Sequence, residues 1–99
     1  MTTIDVTTLL DVNELKENYP NFRSVSECDI LKIELDMEVL LRSNGEDFTV
    51  KVEEINEDEL IGKVLREDFT FNQPFKFLDL IKFKRKNVID IYVNYGLIL

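Results

Sequence analysis

The chain has no histidine, a single cysteine, two prolines and three glycines in 99 residues. Without histidine there is no side chain poised to titrate near neutrality, no Ser-His or Cys-His nucleophile pair, and no imidazole for zinc. The lone Cys28 cannot close a disulfide within the chain, and it lies between Glu27 and Asp29, whose charges disfavour a nucleophilic thiolate. A small chain with no disulfide framework fits a reducing compartment, so a cytoplasmic setting is expected. None of the glycines belongs to a Gly-rich, phosphate-cradling loop. No apolar stretch approaches the length of a bilayer span, and the N-terminus has no basic region leading into an apolar run. These shortages point to a protein inside a cell that is not an enzyme, uses no cofactor or metal and makes no membrane contact.

What the chain has in quantity is negative charge. Twenty acidic residues against twelve basic ones give a net charge of -8, which favours solubility and repels phosphate backbones and anionic lipid. Nucleic acid is therefore an unfavoured partner. The length suits one domain with a modest core, and no internal repeat, low-complexity segment or linker interrupts it.

The clearest structural signal runs from Glu46 to Ile91. Phe48, Val50 and Val52 alternate with Thr49, Lys51 and Glu53, the period of a half-buried strand. Val39-Leu40-Leu41-Arg42 precedes it, and Asn44-Gly45 between the two is the signature of a type I′ hairpin turn. The polar Asn56-Glu57-Asp58-Glu59 predicts a second hairpin leading to Leu60–Leu65, with Gly62 marking a bulge or bend. Phe69 to Phe77 is an aromatic-rich connection in which Pro74 opposes a central strand. Alternation resumes at Leu80–Lys84 and again at Val88–Val93, with Arg85-Lys86-Asn87 as the turn between. Short strands with tight turns in so small a chain are best curled into a barrel, because closure removes exposed edges.

Upstream, residues 1–29 read as an N-terminal extension to a β-barrel formed by residues 30–99. Met1–Leu10 suits either an edge strand or a loop. Asp11-Val12-Asn13-Glu14 resembles a capping box and starts a short helix that presents Val12, Leu15 and Tyr19 on one face and stops before Pro20. Residues 21–29 read as a loop, and Ile30–Leu35 as a further strand. The expected fold is mainly β, a small SH3-like barrel of five or six antiparallel strands with one short N-terminal helix.

Gly45–Val52, Leu60–Val64, Pro74–Phe83 and Asn87–Ile91 together resemble a group of small SH3-like β-barrel domains found in bacteria, some beside toxin systems as immunity-like proteins, and in large DNA viruses. The resemblance spans roughly half the chain and lies in hydrophobic and turn positions, with no chemical motif in it. Thr49 stands where that group usually carries Trp, and Leu78-Asp79 replaces its Gly-Asp turn. The resemblance implies a small β-barrel with a non-enzymatic, immunity-like or viral accessory role, in a host cell or virion if viral.

Three surfaces qualify as candidate sites. Glu53, Glu57, Asp58 and Glu59 concentrate negative charge on one hairpin and suit a basic protein partner; their spacing lacks the central Gly and alternating ligands of a calcium loop. Tyr95, Leu97, Ile98 and Leu99 place apolar side chains on a segment that either packs across the chain's own barrel or forms an edge that invites pairing with a partner or with a second copy of the chain. Lys82, Lys84, Arg85 and Lys86 form the basic cluster, the alternative nucleic-acid surface. A further alternative is an acidic surface that mimics DNA and blocks a DNA-binding protein. Protein–protein interaction is the leading functional expectation.

Overall fold

A computed structural model of the chain describes residues 3–19 and 30–92. Its meander begins at the Asn44-Gly45 turn, where φ is +50° and +82°. A type I′ turn demands positive φ at both central positions, which glycine adopts freely and asparagine tolerates. Ser43 and Glu46 face each other across this turn and set the antiparallel register of β2 (Glu38–Ser43) on β3 (Glu46–Asn56). The two-residue turn Glu57-Asp58 joins β3 to β4 (Glu59–Val64), pairing Asn56 with Glu59. After the long connection 65–79, β5 (Leu80–Lys84) pairs antiparallel with β4. A 3-10 turn at Arg85–Asn87 follows, held by the Asn87 side-chain oxygen accepting from the Lys84 N–H at 2.9 Å. The chain then returns across the sheet as β6 (Asp90–Tyr92), antiparallel to β2.

The fold is mainly β with one short helix: β2 to β5 form an antiparallel meander, and β6 returns to pair with β2. Its sheet is mixed where a wholly antiparallel one was expected, because β1 (Thr3–Asp5) runs parallel to β5, with Thr3 opposite Leu80. Parallel neighbours need a long crossover, which the whole meander supplies. The strand order is β1-β5-β4-β3-β2-β6. Residues from the expected N-terminal extension thus enter the sheet: Val6 joins the core, and Leu9 bridges to Ser43.

The alternation in the sequence decides which side faces in. Val39 and Leu41 of β2, Phe48, Val50 and Val52 of β3, Leu60 and Val64 of β4, and Ile81 and Phe83 of β5 are all buried in one cluster. Each such side chain contributes about 1.5–3 kcal/mol relative to exposure. A slip of one residue would turn a whole strand's apolar set to water, so the register is strongly specified. Val88, Phe75 and Ile33 belong to the same cluster.

The helix α1 (Val12–Asn18) starts where Asp11 accepts from the Asn13 N–H at 2.9 Å. Val12 and Leu15 are buried as expected, whereas Tyr19 is exposed. Tyr19 is the C-cap, and its non-helical backbone takes it off the helix face. The segment Ile30–Leu35 also departs from expectation, for it is not a strand. Ile30 and Leu31 are helical, and only Ile33 is buried, while Leu31 and Leu35 are 72% and 56% exposed. The chain reverses at Asp36, φ +70°, where two backbone bonds tie it to β3: Asp36 N–H donates to Val52 C=O, and Val52 N–H to Met37 C=O, both at 2.8 Å. Strand β6 is shorter than expected, with Val88 and Ile89 leading into it and Val93 outside the described residues.

Gly62 lies where β3 and β4 slip register, pairing with Val52 while Ile61 pairs with Glu54, so that Glu53 is the extra residue of a bulge. A Cβ at position 62 would stand 2.9 Å from Val50 Cγ2 and 3.0 Å from Phe83 Cε1. Both neighbours are core side chains with little room to yield. Gly62→Ala is expected to lower unfolding free energy by about 1–3 kcal/mol, the usual cost of overpacking. Chemical denaturation checks this, and an unchanged midpoint would show that the core opens there freely.

Candidate functional site

The acidic hairpin and the basic turn, distinct in sequence, share one face. Across the bulge Glu53 meets Lys63 at 3.6 Å, and Glu59 meets Lys82 of β5 at 3.9 Å. The Arg85 guanidinium donates to the Glu57 carbonyl, and Lys86 reaches Asp11 at 3.7 Å. These pairs are partly solvated, each worth about 0–1 kcal/mol, but they place opposite charge beside the hairpin's carboxylates. Lys84 is exposed at the end of β5. Tyr95, Leu97, Ile98 and Leu99 lie outside the described residues.

Two adjoining clefts flank Lys86. One, of about 200 Å³, is lined by Lys82, Lys84 and Lys86 together with Asp5 and Glu59. The other, of about 300 Å³, has Val12, Ile30 and Leu31 as an apolar wall, with Lys16, Arg85 and Asp58 around it. Arg85 Nε is buried without a hydrogen-bond partner among the described residues. Among those residues no group of three or more Cys, Asp or Glu side chains is placed to hold a metal ion, and no helix is long and apolar enough to cross a membrane.

A further surface, absent from the candidates read from sequence, lies at the end of the 65–79 connection. Lys76-Phe77-Leu78-Asp79 is a tight turn in which Asp79 N–H donates to Lys76 C=O at 3.0 Å. The Asp79 carboxylate accepts from the Lys76 N–H at 2.8 Å. The turn is also tied to β4, with Leu78 N–H donating to Val64 C=O at 2.8 Å and Val64 N–H to Asp79 C=O at 3.0 Å. Leu78 has φ +70°, the left-handed value that a type II turn requires at its third residue and that favours glycine. Phe77 and Leu78 are nonetheless 39% and 49% exposed. The available signal in sequence was Leu78 itself, a branched residue at a position where turn chemistry asks for glycine.

The connection leading to this turn is anchored by Glu46, a carboxylate only 6% exposed. It accepts from the N–H groups of Thr70 and Phe71 at 2.8 and 2.5 Å, and Arg66 Nη2 stands 3.1 Å away. Beneath it Phe48, Phe69 and Phe75 pack edge-on or tilted, with ring centroids 4.7–5.8 Å apart, and the Arg66 guanidinium lies 5.0 Å over Phe69. Ser43 completes the attachment: its hydroxyl donates to Gln73 Oε1 at 2.8 Å, and its carbonyl accepts from Gln73 Nε2 at 3.0 Å. The Ser43 hydroxyl also meets Thr8 Oγ1 at 2.6 Å, bringing the N-terminal segment to the same point. None of these long-range partners is visible in the local pattern of the chain.

No family model, curated protein or solved structure matches the chain.

Burial opposes the charged form of Glu46, yet the Phe71 and Thr70 N–H groups, Arg66 and Gln73 outweigh it and hold the carboxyl below its ordinary value of 4.5. Because the folded pKa is depressed, this group's contribution to stability is present above its unfolded value and is lost as pH falls through the folded one. Glu46→Gln should therefore lower the thermal midpoint at neutral pH, and the gap between variant and parent should close as pH drops below about 4.5. Thermal melts across that range check it; a gap independent of pH would assign the loss to packing alone.

Proposed function

We propose that the chain is a non-enzymatic protein-binding module whose anchor is the Phe77–Leu78 turn. The observation that carries this reading is Leu78: a left-handed conformation costs a branched residue roughly 1–2 kcal/mol, and half of the side chain faces solvent. Backbone strain without burial in return is the pattern found where a side chain is held ready for a partner. The Asp79 cap and the bonds to Val64 limit the turn's freedom, so little entropy remains to be lost on binding. Exposed Phe71 on the same connection adds apolar area.

Charge supports the same class of function in a different way. A net charge of -8 steers a basic protein toward the molecule and repels acidic ones, raising the encounter rate more than the affinity. An immunity-like or viral accessory role agrees with such a module. The nucleic-acid reading through Lys82, Lys84, Arg85 and Lys86 has less support, since Glu59 and Asp11 already pair with Lys82 and Lys86. A DNA mimic would need unmatched carboxylates, whereas Glu53 and Glu59 have lysine neighbours.

Leu78→Gly separates binding from folding, because glycine relieves the strained φ while deleting the anchor. Affinity capture from the native source with the parent chain, Leu78→Gly and Phe77→Ser should recover a partner, or a second copy of the chain, with the parent alone. The glycine variant should keep its thermal midpoint. An identical set of proteins captured by all three chains, with the same mass by light scattering, would remove the turn as the binding site.

A further inference from the structure

Of the eight asparagines in the chain, Asn44 alone is followed by glycine. Both residues are exposed at the tip of the first hairpin, and a β-carbon built at position 45 would meet nothing within 4 Å. The Gly45 N–H makes no backbone hydrogen bond among the described residues. The Asn44 amide is lightly held, for its Nδ2 lies 3.5 Å from the Asn72 carbonyl and 3.4 Å from Gln73 Oε1, beyond the usual length of an N–H···O bond. A backbone nitrogen without an acceptor thus follows a side-chain amide without a strong partner.

We infer that Asn44 is a site of spontaneous deamidation and isoaspartate formation. The Gly45 nitrogen, on losing its proton to hydroxide, attacks Asn44 Cγ; the N–Cγ bond forms, the Cγ–Nδ2 bond breaks, and Nδ2 leaves as ammonia after taking a proton from water. The product is a cyclic imide. Water then opens it at either carbonyl, leaving aspartate when the bond to Cγ breaks and isoaspartate when the bond to the former main-chain carbonyl carbon breaks. Ring closure carries Asn44 out of its left-handed conformation, φ +50°, and the backbone of Gly45 must follow. Glycine supplies that freedom, with no β-carbon to crowd the attacking nitrogen.

The consequences reach the 65–79 connection. Aspartate at position 44 sets an acceptor against two acceptors, the Asn72 carbonyl and Gln73 Oε1. Gln73 has no free donor to offer in return, because its Oε1 accepts from the Ser43 hydroxyl and its Nε2 donates to the Ser43 carbonyl. Isoaspartate does more. Its side-chain carbon enters the main chain, so the turn no longer has the length that sets Ser43 opposite Glu46, and Glu46 is drawn away from the Thr70 and Phe71 N–H groups. Nothing in this chemistry requires the Phe77–Leu78 turn to bind a partner.

The test is incubation of the full chain at neutral and mildly alkaline pH, followed by tryptic digestion and mass spectrometry with fragmentation. The peptide Ser43–Lys51 should acquire the mass gain of an NH2-to-OH exchange at position 44, divided between aspartate and isoaspartate, at a rate rising in proportion to hydroxide. Peptides carrying Asn56, Asn72 and Asn87 should stay unchanged over the same interval. Gly45→Asn keeps a residue that tolerates the left-handed conformation and should slow the conversion severalfold. A parallel sample in urea isolates the effect of the fold. Conversion confined to the unfolded chain, or no faster at Asn44 than at the other asparagines, overturns the proposal. Asn44→Asp retains a favoured type I′ pair, so it should fold while moving the Asn72 and Gln73 amide signals in a nitrogen-15 correlation spectrum; unmoved signals overturn the effect on the connection.

Discussion

A carboxylate taken out of water must be neutralised or matched, and Glu46 is matched by two backbone N–H groups and a guanidinium from a single connection. That connection, residues 65–79, has no regular ladder of its own. Its path is set by what its backbone finds at Glu46, by the seating of Phe69 and Phe75 on Phe48, and by Gln73 on Ser43. Everything downstream inherits the result: where β5 enters the sheet, where the Phe77–Leu78 turn projects, and which edge β1 can join. Glu46 occupies this point because the Asn44-Gly45 turn fixes it opposite Ser43, on the face the apolar pattern turns inward.

Two kinds of surface stand out on the molecule, and the difference is physical. At the turn, apolar side chains are held outward by a backbone that would relax with glycine. In the two clefts beside Lys86, charged and apolar side chains from α1, β5 and the 3-10 turn face one another across space large enough for a few atoms of another molecule. In the acidic hairpin, Glu53 and Glu59 have lysine neighbours and the Glu57 carbonyl holds Arg85. Its carboxylates shape the long-range field.

What could be read from the chain was whatever depends on neighbours in sequence. The period of Phe48, Val50 and Val52, the Asn44-Gly45 turn, the Asp11 cap and the bulge signalled by Gly62 are local decisions, and each is met in the structure. Ile30–Leu35 misled because its hydrophobicity is right for a strand while its alternation leads to only one buried position, Ile33; the reversal at Asp36 then leaves no length for a ladder. The parallel pairing of β1 was hidden because three residues carry almost no pattern. Glu46 looked like one more surface acid, for nothing in Gly45-Glu46-Asp47 announces amide groups arriving from Thr70 and Phe71. The clefts beside Lys86 were half legible: Lys82 to Lys86 stood out, but Lys16 and Leu31 join them only through tertiary packing.

The two outermost strands differ from the rest in how far along the chain they must search for a neighbour. The four strands of the meander meet the next element in sequence, whereas Thr3 lies against Leu80 and Glu38 against Tyr92. Closing such large loops costs chain entropy before any contact repays it, and non-local pairing of this kind slows folding. The order of assembly follows: the two hairpins zip first, the Glu46 connection docks β5, and β6 and then β1 are added to a sheet already formed. Breathing of the native state runs in reverse, with the short β1, held by three residue pairs, among the first segments to release its amide protons to solvent.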